Sequence, residues 1–340
     1  MKKKLTELIA GYNAISIIGM SKNAGKTTVL GKLIAEWKES GVKAGLTSIG
    51  RDGEDVDIVT GTEKPRIFVT KGTIIATAAE LLKKSDITKE ILRTTGINTP
   101  MGEVVFAGAR SDGYVQIGGS SIGSQIISIL EDFKELGADK VLVDGAISRK
   151  TLSNPVITDA AILCSGASLN SDMDKVVKDT VFTAKLLTLK PINDKKILEV
   201  VDRLPENAGK ITAIGEDFEF LPINLDNLRH LGITPSYIYI RGALSDSFAN
   251  KLIMSNINLR GVKLIVEDGS KLFVTERTFE KLGIGGSDIV VRRPVNLAAI
   301  AINPVSVRGF SFDKDIFKEA LSKELQIPIY NVLDEEGVSE

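Results

Sequence analysis

The stretch from Ile15 to Leu30 constrains the fold more than any other part of the chain. Ala14 to Ile18 is a short apolar run of strand type, and it stops at Gly19. Gly25 follows with five residues between the two glycines, and Lys26, Thr27 and Thr28 come directly after it. From Thr27 onward Leu30, Leu33, Ile34 and Trp37 recur at the spacing of one helix face, and Gly41 marks the end. Strand, glycine loop and helix in that order predict an α/β domain. Gly19 and Gly25 let the main chain turn tightly and approach an anion with no Cβ in the way. The first N–H groups of the helix then face that anion from the positive end of the helix dipole.

Gly25, Lys26 and Thr27 supply the G-K-[ST] end of the phosphate-binding motif G-x-x-x-x-G-K-[ST]. Gly19 stands one residue further upstream than that motif requires. The expected ligand is ATP or GTP, wrapped by Gly19, Lys22, Asn23, Ala24, Gly25, Lys26, Thr27 and Thr28. In this reading Lys26 reaches the β and γ phosphates and the Thr27 hydroxyl holds Mg²⁺. Lys22 is either a further phosphate contact or a solvated loop lysine.

A second segment, Lys140-Val141-Leu142-Val143-Asp144-Gly145, reads as a buried strand with a carboxylate at its exit. In P-loop proteins that position contacts Mg²⁺ directly or through water, so Asp144 is expected at the metal and in the hydrolytic machinery with Lys26. Gly50 to Asp57 falls where the next strand-to-helix connection belongs, at the carboxyl end of a strand. Asp52 is placed there as a further metal ligand. Asp55 facing the metal and a solvated acidic turn are equally compatible with those residues. Arg149 and Lys150 lie close behind Asp144 and suit either a γ-phosphate or solvent.

What the chain lacks narrows the chemistry. It has one histidine, His230, so neither a two-histidine metal site nor a Cys/His zinc cluster of normal ligand count is possible. His230 sits at what reads as a helix end, a place that suits a dipole-compensating residue. The one cysteine, Cys164, rules out an intrachain disulfide and fits a reducing, cytoplasmic setting. It is expected as a small buried apolar residue rather than a nucleophile. The net charge of −1 gives no support for a nucleic-acid or membrane surface. No run approaches the ~18 apolar residues of a spanning helix, and the amino end is broken by polar residues and glycines where a secretory signal would be apolar.

The remaining pattern alternates strands and helices, which predicts an α/β fold with a mostly parallel sheet and a second, smaller α/β domain. At 340 residues two domains are expected, and the residues from Leu204 to Lys210 read as a linker. That gives a nucleotide-binding domain over 1–205 and a C-terminal domain over 206–340. Ala76 to Leu82 is expected as a helix. Asp86 is expected to cap another over Ile87 to Thr94, stopped by Gly96. Glu103 to Ala107 and Gly113 to Ile117 read as a hairpin. Gly118 to Ser121 leads into a strongly periodic helix. Asn303-Pro304 follows a buried strand: it either reads a base, if the segment returns to the first sheet, or makes a turn in an independent domain, and the second is preferred.

Five segments carry a family resemblance: Ser16–Thr28, Leu46–Glu54, Thr60–Phe68, Ser111–Tyr114 and Val143–Ala146. Together they resemble the P-loop subunit encoded beside the adenosylcobalamin-dependent lysine 5,6-aminomutase and its ornithine-acting relatives. The resemblance implies a reactivation role, with the aminomutase or a MutS-like partner ATPase as protein partner. It also implies nucleotide at Gly25, Lys26 and Thr27 and a metal at Asp144. More broadly the chain is similar to the P-loop class that includes dethiobiotin synthetase and the molybdopterin-guanine dinucleotide accessory protein. Dethiobiotin synthetase also has five residues between its loop glycines, whereas the accessory protein has four.

Three functions follow as expectations. The first is a nucleotide-driven helper whose segments Gly50 to Asp57 and Asp144 to Lys150 change shape with hydrolysis. The second is an ATP-dependent ligase or kinase for a small molecule, with Arg51, Arg149 or Lys150 near the γ-phosphate. The third is a module in which nucleotide only orders the fold.

Overall fold

The structure is a computed structural model, and it describes residues 4–50, 66–146, 157–205, 208–223, 235–255 and 258–334. The chain forms two compact units, Met1–Val181 with Asn296–Glu340 and Phe182–Val295. The expected break at 205/206 is therefore corrected: the last stretch of the chain belongs to the first unit, not to a C-terminal domain. Among the described residues no helix is long and apolar enough to cross a membrane.

The first unit is α/β with a mostly parallel sheet. Its strands are β1 (Ala14–Gly19), β2 (Ala44–Ser48), β3 (Ile67–Val69), β4 (Ile74–Ala78), β5 (Lys89–Thr99), β6 (Gly102–Ala109), β7 (Gly113–Val115), β8 (Lys140–Ala146) and β9 (Ala160–Gly166). Its helices are α1 (Leu5–Leu8), α2 (Lys26–Glu39), α3 (Ala79–Lys83), α4 (Gly123–Glu135) and α5 (Met173–Leu187), the last running into the second unit.

In the second unit come α6 (Lys195–Arg203), β10 (Ile211–Ile214), β11 (Phe220–Pro222), β12 (Tyr237–Ile240), β13 (Leu244–Ser245), α7 (Asp246–Ile253), β14 (Lys263–Val266), β15 (Leu272–Phe273), α8 (Glu276–Ile284) and β16 (Asp288–Val291). The chain then returns to the first unit as β17 (Leu297–Asn303), α9 (Lys314–Glu324) and β18 (Ile329–Asn331).

The large sheet runs β18-β17-β9-β1-β8-β2-β4-β6-β5. Pairing is parallel from β18 through to β4, and β6 and β5 add on antiparallel. β1 and β9 are buried on both faces, which is why they read as near-continuous apolar runs. One face carries Ile15, Ile17, Leu142 and Cys164 against Leu30, Leu33 and Trp37 of α2. The other carries Val141 and Val143 against Ile126, Ile129 and Phe133 of α4. Phe106 of β6 meets Phe133 edge-to-face with ring centroids 4.9 Å apart, and both rings are fully buried.

Three local expectations are corrected. The segment expected as a capped helix over Ile87 to Thr94 is the start of edge strand β5, paired antiparallel with β6. Ile91, Thr94, Thr95 and Ile97 are β-branched, and such residues pack better on a pleated surface. Gly96, expected as a helix stop, sits at φ 72 in a break of register between Thr94 and Asn98. Asp86 accepts from the Tyr114 N–H instead of capping. The hairpin is accordingly β5–β6, and β7 pairs with β3. The helix expected over Ala76 to Leu82 begins only at Ala79, because Ala76 to Ala78 continue β4.

The second unit has its own sheet, β11-β10-β12-β14-β16, in which β12, β14 and β16 are parallel and β10 and β11 antiparallel. Ile238 and Ile240 face a core with Leu252 of α7 and Leu282 of α8. Tyr239 and Ile265 face another with Ile197 and Val201 of α6.

Truncating Phe133 to alanine should cost about 3–5 kcal/mol of stability, since it removes a buried ring and its aromatic partner contact. Urea unfolding of Phe133→Ala beside the exposed-site change Leu92→Ala measures this; equal midpoints would contradict the packing described.

Candidate functional site

The carboxyl ends of the parallel strands lie along one edge of the large sheet. Gly19 at the end of β1 is level with Ala146 of β8 and Cys164 of β9. Ser48 of β2 is level with Asp144, and Asn303 of β17 with Gly166. This edge is where ligands bind in open α/β sheets.

From Gly19 the chain enters the glycine loop, anchored at its start by the Met20 N–H donating to the Cys164 carbonyl at 2.9 Å. Asn23 at φ 61 and Gly25 at φ 96 both take left-handed backbone, and Gly25 is the N-cap of α2. Asparagine tolerates that conformation better than most side chains. Left-handed residues set among right-handed ones shape a backbone into anion-binding concavities. Ala24 is buried beneath the loop, while Lys22, Asn23 and Thr28 are exposed and Lys26 and Thr27 are half-buried.

The Lys26 side chain folds back along the loop. A Cβ on Gly19 would stand 2.9 Å from Lys26 Nζ and 3.0 Å from Lys26 Cδ, so the lysine lies over the position where only a glycine leaves room. Asp144 lies on the same side of the sheet as Lys26. Side chains alternate along a strand. Val141 and Val143 face the core under α4, whereas Leu142 faces the core under α2, and Asp144 shares the side of Leu142. Asp144 Oδ1 is buried.

Cys164, near the end of β9 on the other side of β1 from Asp144, is fully buried. Burial pushes its thiol up to about 12; the Lys26 ammonium opposes the shift and the Asp144 carboxylate adds to it. A protonated, buried thiol is a packing residue and not a nucleophile, as expected from sequence.

Asn303 was missed as a definite neighbour. Its Cβ would come within 3.2 Å of a Cβ on Gly25, and its carbonyl oxygen within 2.1 Å of one on Gly166. Ala167 N–H donates to that same carbonyl, and the Asn303 Oδ1 accepts from Val305 N–H. The asparagine therefore borders the glycine loop. The preferred reading of Asn303-Pro304 as a turn in a separate domain is corrected, because β17 pairs with β9.

Gly118 to Ser120 is a second neighbour. The Gly50 N–H donates to Ser120 O, and a Cβ on Gly119 would stand 2.3 Å from Ser48 O. The stretch abuts the end of β2, and α4 starts after it with Ile122 as N-cap. Asp52, Asp55, Arg51, Arg149, Lys150 and His230 lie outside the described residues. Comparison of the chain with protein-family models, with curated proteins and with solved structures finds no match.

The thiol allows a test by pH. Its ordinary pKa is 9.0 and the folded value is about 12. Between those values the folded chain keeps a proton that the unfolded chain sheds, so the contribution is full below the lower value and is lost as pH rises toward the upper one. Wild type should lose stability across this window faster than Cys164→Ala, as read by urea midpoints at stepped pH. Parallel profiles would show that the thiol is not held protonated.

Proposed function

We propose that the chain is a P-loop NTPase that binds ATP, or GTP, with Mg²⁺. The observation that carries this reading is Lys26 folded back over Gly19 at a left-handed glycine loop, with Asp144 near the end of the adjacent parallel strand on the same side of the sheet. An ammonium folded along the loop suits a phosphate tail, and a buried carboxylate oxygen on the same face suits a divalent cation. The residues present thus fit the nucleotide and its metal.

In this reading the loop main chain and Lys26 hold the β and γ phosphates. They oppose the negative charge that grows on the γ-phosphate oxygens as water attacks. Thr27 and Asp144 would hold Mg²⁺, which supplies further charge neutralisation when bound. The base would lie beside Asn303, whose side chain comes against Gly25 from the end of β17.

The narrower proposal is that hydrolysis drives a helper for a cobalamin-dependent aminomutase, acting on the mutase or with a partner ATPase. It is supported by the resemblance of Ser16–Thr28, Leu46–Glu54 and Val143–Ala146 to the P-loop subunit described above. Loops that follow the strand ends are the parts that would respond to the γ-phosphate.

Lys26→Ala should lower phosphate release by about 100-fold or more while leaving the melting temperature within a few degrees of wild type. Asp144→Asn should shift the Mg²⁺ requirement upward more than it weakens nucleotide binding by calorimetry. A wild-type metal titration in that variant would remove Asp144 from the metal. Turnover should be weak alone and rise on addition of the aminomutase. A rise with a small carboxylate or amine and none with the protein would instead identify a ligase or kinase.

A further inference from the structure

Several buried hydroxyls of the large sheet have a partner inside it. Ser16 of β1 donates to the Ala160 carbonyl, Thr47 of β2 donates to the Ala76 carbonyl, and Ser165 of β9 is bonded to the Thr180 hydroxyl. Ser48, the last residue of β2, differs from them. It is 6% exposed, yet among the described residues nothing is bonded to its hydroxyl. Leaving a buried polar group unpaired is costly, so such a hydroxyl points to a partner that is still to come.

Its place in the sheet says what that partner is. Ser48 is level with Asp144 in the parallel pairing of β2 with β8, and Asp144 is level with Ile17 of β1. Leu46 and Leu142 face the core under α2, and alternation puts Ser48 and Asp144 on that same side. Neighbouring strands lie about 4.8 Å apart, so the two side chains stand side by side. Ser48 is on the flank of Asp144 away from β1, and Lys26, lying over Gly19, is on the other flank. The main chain here is held from both sides. The Ile49 N–H donates to the Asp144 carbonyl at 3.2 Å, and a Cβ on Gly119 would stand 2.3 Å from the Ser48 carbonyl oxygen.

We propose that Ser48 is a positioning residue for the Mg²⁺ assigned to Asp144, its hydroxyl accepting a hydrogen bond from a water that the metal carries. The inference rests on the nucleotide-site reading above. Mg²⁺ keeps several of its waters when carboxylates and phosphates bind it, and those waters need acceptors. On the β2 flank Ser48 is placed to be one. A serine hydroxyl can accept from the water and turn its own hydrogen toward the Asp144 carboxylate. Groups one step outside a metal orient its ligands in this way and raise its affinity.

The test is calorimetry on the full chain, titrating Mg²⁺ into its complex with a non-hydrolysable analogue of ATP or GTP. Ser48→Ala should weaken Mg²⁺ binding about fivefold or more. Its affinity for the analogue in EDTA and its melting temperature should stay as in wild type. Thr and Val have nearly the same shape, so that pair isolates the hydroxyl: Ser48→Thr should hold Mg²⁺ more tightly than Ser48→Val by a similar factor. Equal Mg²⁺ affinity in wild type and Ser48→Ala, equal affinity in the Thr and Val variants, or a matching loss of analogue affinity in EDTA would each overturn the proposal. Failure of the underlying reading looks different: wild type itself then binds neither analogue, with or without Mg²⁺, and the role of Ser48 falls with it.

Discussion

Parallel pairing on both sides of β1 is the constraint from which the candidate site follows. A strand with parallel neighbours shares its direction with them, so the chain leaves β8, β1 and β9 at one level. The carboxyl ends of β8, β1 and β9 therefore lie at adjacent points. Were β8 antiparallel to β1, Asp144 would sit at the far edge, some 20 Å away for strands of this length. Continued parallel pairing through β9 to β17 brings Asn303 to the same edge, although the whole second unit lies between those two strands in sequence.

The alternation of side chains then divides the edge into two faces with different chemistry. On the α2 side, an ammonium and a carboxylate stand over an apolar floor that ends in Cys164. A triphosphate entering from the loop would meet Lys26 favourably and Asp144 unfavourably. That imbalance is why the proposed reading couples nucleotide to a divalent cation and not to nucleotide alone.

Much of this was legible in the residues, and where it was not the reason is physical. The strand, glycine loop and helix from Ala14 to Trp37 and the buried strand ending at Asp144 are strongly patterned, and the structure has them where they are expected. Local pattern does not encode the return of Leu297–Asn303 to the first sheet, because any buried parallel strand reads as an apolar run. The edge strand β5 was misread because its residues are mostly exposed. Ile87, Ile91 and Thr94 happen to be spaced three and four apart, and pairing with β6 overrode the helical reading. Lys26 folded along Gly19 and the closeness of Asn303 to Gly25 depend on packing between distant segments, which spacing alone does not show.

The second unit is an insertion between two strands that lie side by side. About 130 residues separate the end of β9 from the start of β17, and the entropic cost of closing so long a loop grows only slowly with its length. Timing is the greater consequence. A ribosome releases β9 long before β17, so the nascent first unit passes through a stage in which a strand wholly buried in the finished fold is its sheet edge. Bare edges of this kind recruit other chains, and the strand that covers this one is synthesised only after an entire neighbouring unit.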